Sequence, residues 1–263
     1  MKQTSMGIAG LIALTLAVPA FAADLPARGY NKAAPVTATP YYDWSGYYIG
    51  ANAGYGWARD DHADLVNGGG FFTFGPGGIF GGRQRVEPRG AVYGGQIGYN
   101  WQTANWVFGF ELAGDGSNLR RTDPSVFGPG DFLSSKVDGF LTVTGRVGYA
   151  FNNWLPYIKG GYAGADLRTR DFDVFGNSLD HREWRSGYVI GAGLEYGITP
   201  NWTVGVEYDY MDFGTRTWSG NSIGPGAPAL PPPGQEFFSD RLKISTVTGR
   251  INYKFGGPVI ARY

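Results

Sequence analysis

Cysteine is absent, histidine occurs twice, and charged residues make up only 17% of the 263-residue chain. Each shortage excludes something. Without cysteine there is no disulfide framework, no thiolate nucleophile and no zinc–thiolate centre. Acids and bases balance, with Lys+Arg at 22 and Asp+Glu at 22, so nothing calls for a nucleic acid or another polyanion. The Gly-rich "GGIFGG" (77–82) precedes no helical pattern and is not read as a phosphate loop. "DHREW" (180–184) sets His181 near Asp180 and Glu183 without a nucleophile, and it reads as a solvated loop. No enzyme, cofactor or metal centre is therefore expected.

Long hydrophobic runs are missing too. The apolar run from Ile8 to Val18 falls short of the ~20 residues that a spanning helix needs. Lys2 precedes it and Ala20-Phe21-Ala22 follows it as an A-x-A cleavage site. Residues 1–22 read as a secretory signal peptide. Residues 23–43, rich in Pro, Ala and Thr, read as an extended periplasmic tether.

Glycine, at 44 residues, and aromatics, at 16%, are abundant. The dipeptide Asn-Trp recurs at a fixed interval: Asn105-Trp106, Asn153-Trp154 and Asn201-Trp202. After each Trp, large apolar side chains alternate with small or polar ones. Trp106, Phe108, Phe110 and Leu112 share one face; Val107, Gly109, Glu111 and Ala113 share the other. Period two is the signature of a strand between two unlike environments. A second repeat runs through "GQIGYNW" (95–101), "GRVGYAF" (145–151), "AGLEYGI" (192–198) and "GRINYKF" (249–255), with Tyr and a bulky residue always on one parity.

The two repeats alternate along the chain and predict eight strands, at about 46–58, 90–102, 105–115, 138–151, 154–165, 185–197, 202–212 and 241–255. Tight turns fall near 103–104, 152–153 and 198–201; long Gly- and Pro-rich loops fall near 59–89, 116–137, 166–184 and 213–240. The expected fold is all-β: an eight-stranded antiparallel up-and-down transmembrane β-barrel over residues 44–263. Glycines on the polar parity suit the narrow interior of such a barrel. In lipid the sheet must close, because unpaired backbone groups find no water there.

Two sets of site residues follow. Tyr99, Trp101, Trp106, Tyr149, Trp154, Tyr196, Trp202, Tyr253 and Phe255 flank the tight turns and predict an aromatic girdle at one membrane interface. Glu111, Glu195, Glu207 and Asp209, with Arg146, Lys159, Arg250 and Lys254, fall on the inward parity. They predict a lumen charge network of four acids and four bases.

"DWSGYYIGANAGYGW" (43–57), "TVTGRVGY" (142–149), "VEYDY" (206–210) and the closing "RINYKFGGPVIARY" (250–263) resemble the small porin-like outer-membrane β-barrel family of alphaproteobacteria, which includes surface antigens and haemin-binding-protein relatives. The resemblance implies the outer membrane of a Gram-negative bacterium, insertion by the barrel-assembly machinery, and contact with outer-membrane lipid and lipopolysaccharide. The function expected is structural, with surface-exposed loops contributing to envelope integrity and surface interaction. The alternatives are a passive porin for small solutes and a surface protein binding haem or another ligand, for which His62 and His181 are the imidazole candidates.

Overall fold

The computed structural model describes residues 42–64, 83–126, 130–174, 176, 178–221 and 235–255. The signal peptide, residues 23–41 of the tether and the extension after Phe255 lie outside the described residues. Nine strand segments are formed: β1 Gly46–Asp64, β2 Arg83–Val86, β3 Arg89–Thr103, β4 Trp106–Pro124, β5 Asp131–Tyr149, β6 Trp154–Asp173, β7 Ser178–Thr199, β8 Trp202–Asn221 and β9 Gln235–Lys254.

All pairings are antiparallel and follow chain order, and β1 pairs with β9 from Tyr48↔Lys254 to Asp64↔Phe238. The sheet therefore closes on itself. Its nine segments occupy eight places, because β2 and β3 share one edge of β1. Pro88 makes the break between them: it has no N–H to give the ladder, and its carbonyl accepts from Ala58 N at 2.8 Å instead.

The strands run well past the expected ends, up to the 22 residues of β7. Much of 116–137, 166–184 and 213–240, expected as loop, is paired strand. The reason lies in which face is apolar. Near the turns the outer wall carries Ile49, Phe108, Ile158 and Ile251, all exposed. Farther along the same strands the outer wall carries Arg59, Arg120, Arg168 and Arg182. There the inner face is apolar instead, with Leu119, Val137, Leu167, Met211, Leu242 and Ile244 packed in one buried cluster. One chain thus builds a lipid-facing barrel continued by a water-facing one. The switch of parity hides the second half from a search for apolar alternation of constant phase.

The repeated Asn has a defined task at the turns. Asn153 Nδ2 donates to Gly197 O at 2.8 Å, and Gly197 N donates to Asn153 O at 2.8 Å. Asn105 forms the same reciprocal pair with Ala150, and Asn201 with Lys254. Each turn thereby clamps the strand end two places farther round the ring. The turns themselves need the left-handed backbone, which Ala104 (φ 53°) and Asn152 (φ 52°) adopt.

Candidate functional site

The girdle residues lie on the outer wall beside the tight turns. Register sets the two sequence repeats face to face: Trp106↔Tyr149, Trp154↔Tyr196 and Trp202↔Tyr253 are direct cross-strand partners. Their ring centroids are 5.2, 4.7 and 5.1 Å apart. Tyr47 and Tyr99 make the equivalent pair across β1 and β3 at 4.6 Å, and Tyr99 continues onto Trp101 at 5.3 Å. Phe255, past the end of β9, packs on Tyr253 at 5.1 Å.

Inside the barrel the structure brings seven of the eight charged residues together. Arg146 Nη1 reaches Glu195 Oε1 at 2.8 Å, and its Nε donates to Asn100 Oδ1 at 3.0 Å. Lys159 Nζ lies 2.7 Å from Glu207 and 2.9 Å from Asp209. Arg250 bridges Glu111 and Glu207 from its two terminal nitrogens. Lys254 stands apart from this set: it donates to the backbone carbonyl of Asp43 and lies over the ring of Tyr42 at the turn end.

Two tyrosines complete the network: Tyr48, and Tyr157, which strand parity turns inward with Lys159. Tyr48 OH donates to Glu111 Oε2 at 2.8 Å, and Tyr157 OH to Glu207 Oε2 at 2.5 Å. The Arg146 guanidinium lies between these rings, 4.7 Å from the Tyr48 centroid and 5.1 Å from that of Tyr157. Arg146 and Arg250 are 3% and 5% exposed, so water does not carry their charge. Ions this far from bulk solvent need partners of good geometry to offset desolvation. The space left beside them, lined by Glu111, Lys159, Glu207, Asp209 and Arg250, is about 10 Å³. That is about the room one water occupies.

Below this layer the turn end is filled as well. Tyr42 and Trp44 pack inside against Val107, Ala150, Leu155 and Tyr157. Trp44 N donates to Gln102 Oε1 at 2.8 Å. Tyr42 covers Gly197, where any Cβ would collide with the ring at 2.3 Å. The last residues of the segment read as tether thus lie in the barrel mouth. Trp44 points inward and takes no part in the girdle.

His62 and His181, expected in solvated loops, stand on β1 and β7. His62 is 1% exposed; its Nδ1 faces Asp240 Oδ1, and its ring packs tilted against Phe238, 4.6 Å between centroids. Trp218 Nε1 donates to Asp240 at 2.5 Å, Arg185 Nη1 donates to Asp240 O at 2.9 Å, and Ser135 Oγ donates to Asp60 at 2.8 Å. The His181 ring lies flat on Trp218, 4.1 Å away and 3° from parallel. His62 is five residues past Trp57, the last outward aromatic of β1, so this cluster stands above the membrane. Burial opposes charge on His62, yet Asp240, Asp60 and Asp171 outweigh it and raise its pKa. Burial and neighbouring Asp240 push Asp60 up to about 6. Burial works against the Asp240 carboxylate, but His62, Trp218 and Arg185 hold its pKa below the ordinary value.

A closed antiparallel ring, an apolar outer belt and an aromatic girdle describe a membrane barrel, and comparison with known proteins places it. Residues 9–255 match the family model described as outer membrane protein beta-barrel domain. The chain belongs to that family. It is 32% identical, over 93% of its length and 97% of the relative's, to the 31 kDa outer-membrane immunogenic protein of Brucella melitensis. The 22 kDa outer membrane protein of Rhizobium leguminosarum is 34% identical over 48% of this chain and 55% of its own. Among solved structures, the outer membrane protein OprG of Pseudomonas aeruginosa matches 81% of this chain and 97% of its own with a TM-score of 0.45 and 15% identity. The protein is a structural β-barrel of the outer membrane of a Gram-negative bacterium, as its family membership and relatives show.

Proposed function

We propose that the barrel is a closed, non-conducting element of the outer membrane that carries no reaction of its own and acts through the surface it presents outside. The observation behind this reading is the filled bore. Arg146, Arg250 and Lys159 cross it to reach carboxylates on other strands, and about 10 Å³ remains beside them. Eight strands enclose an interior that side chains can fill, whereas aqueous channels belong to barrels of ~16–18 strands. Apolar packing above the charged layer and Tyr42 with Trp44 below it thicken the block. The description "immunogenic" given to the Brucella relatives supports a role for the exposed surface. Insertion falls to the barrel-assembly machinery, with Phe255 offering an exposed aromatic at the closing strand. Haem ligation gains no support from His62, whose Nδ1 is engaged by Asp240. Planar-bilayer recording of the refolded protein tests the reading: it predicts no stable channel.

A further inference from the structure

The outer wall carries a feature that the filled bore does not account for. Where the apolar belt ends on β8, β9, β1 and β3, Trp57 and Tyr208 lie 6.4 Å apart between centroids and form a partly exposed aromatic ledge. Directly above it are Arg59, Lys243 and Arg89. Register sets Arg59 opposite Lys243 and Trp57 opposite Arg89. These side chains and Tyr210 line a groove of about 300 Å³ open to the outside.

The charges of the groove do not balance. Three cations face one carboxylate, Glu87, which Arg89 already holds at 2.7 Å. Among the described residues Arg59 has no carboxylate within ion-pair distance, and Lys243 is 3.8 Å from its nearest, Asp212. Like charges directly opposite across a strand pair destabilise the sheet unless an anion lies between them. Below the ledge Tyr55 and Val247, direct partners across β1 and β9, are exposed on the outer wall, and beneath them Ala53 pairs with Gly249, where a Cβ would meet only Ala53 O at 3.8 Å. These apolar side chains and the low step beside them offer an acyl chain a contact surface.

The geometry points to a lipid site: Arg59, Lys243 and Arg89 hold the phosphate of an outer-leaflet glycolipid, with its sugar against Trp57 and Tyr208 and its acyl chains against the apolar wall of Tyr55, Val247 and the Ala53–Gly249 step. The groove lies at the end of the barrel away from the tight turns, which outer-membrane barrels keep on the periplasmic side. It therefore meets the outer leaflet. Arginine forks suit phosphate oxygens, and aromatic rings suit the headgroup level. The site rests on the barrel's place in the outer membrane and not on the bore being closed.

The test uses the full chain refolded in detergent micelles, with lipid retention read by native mass spectrometry. Diphosphoryl lipid A, its dephosphorylated form and phosphatidylglycerol are the probes. The Arg59→Gln, Lys243→Gln double variant changes two side chains on the outer wall, and heat-modifiability on a gel confirms that it folds. Wild type is expected to bind diphosphoryl lipid A about tenfold or more tightly than this variant does, since each cation near a charged lipid adds to the attraction. Dephosphorylation of the lipid should cost a similar factor. Arg168→Gln with Arg182→Gln removes another directly opposed outer-wall pair, across β6 and β7, and should bind as wild type. Equal binding by wild type and the Arg59/Lys243 variant overturns the site. Equal loss in the Arg168/Arg182 control also overturns it, since a diffusely positive wall would then suffice. Phosphatidylglycerol held as tightly as lipid A overturns the glycolipid assignment. Conductance is read separately, so a barrel that conducts yet binds lipid A upholds the site and refutes only the closed bore.

Discussion

Arg250 shows how much one buried residue carries. It lies 5% exposed between Glu111 and Glu207 and accepts no replacement of its charge from water. Removing one partner of a buried pair costs about 3–5 kcal/mol, because the other charge stays behind unpaired. Arg250→Ala should therefore lower the urea-unfolding free energy in detergent by roughly that amount. A change under about 1 kcal/mol would mean that water already screens the network. His62 gives a second residue-scale prediction, in pH. Its folded pKa is raised, so its contribution is fully present below the unfolded value near ~6.5 and fades as pH rises through the folded one. Asp60, raised to about 6, binds a proton in the folded state that the unfolded chain has released, and so acts in the same direction. Asp240, lowered, contributes above its unfolded value and is lost as pH falls through its folded one. Asp171 and Arg185 also bear on this cluster, and Glu183 pairs with Arg185 and faces His181. The upper barrel should therefore resist heat better at about pH 5 than at about pH 8, between the ordinary carboxylate and imidazole ranges. His62→Gln should flatten that slope; an unchanged slope in the variant would exclude this residue as its source.

At the scale of elements, the Asn-Trp repeat joins hairpins to one another. Asn105, Asn153 and Asn201 each exchange two hydrogen bonds with the end of a strand beyond their own hairpin. Replacing any one by Ala removes the side-chain bond and should cost about 1 kcal/mol in denaturant unfolding. The triple variant should lose approximately the sum, and no loss in any of them would show that water replaces the amide. The membrane half of each strand was legible in the sequence because lipid demands apolar side chains on one parity while the narrow bore demands small or paired ones on the other. The upper half was not, because Leu119, Leu167 and Leu242 turn the apolar parity inward while Arg120, Arg168 and Arg241 face water. Locally those stretches mix polarities and carry Gly, the composition of a loop. Parity likewise found Glu111, Arg146, Lys159 and Arg250 and turned Tyr157 inward with them, but it did not find Tyr48, nor that register aims both hydroxyls at Glu111 and Glu207. His62 gave no signal of burial, since its partner Asp240 is distant in sequence and meets it only through the β1–β9 seam.

The whole molecule reads as a wall and a stopper made from one sheet. Outside, the wall changes from apolar belt to charged collar at Trp57 and Tyr208. Inside, the filling changes in the opposite sense, from the Tyr42–Trp44 floor through the paired ions to an apolar core and the His62 cluster. A passage for solute would have to open every layer together. Single-channel recording in a planar bilayer tests this most directly. Wild-type protein, shown to be folded by heat-modifiability, should give no stable open level at any holding potential. Arg146→Ala with Arg250→Ala removes two side chains that cross the bore, and brief openings in that variant would place the block at the charged layer. A reproducible open level from the wild-type monomer, or passage of a small sugar through it, would contradict the closed barrel.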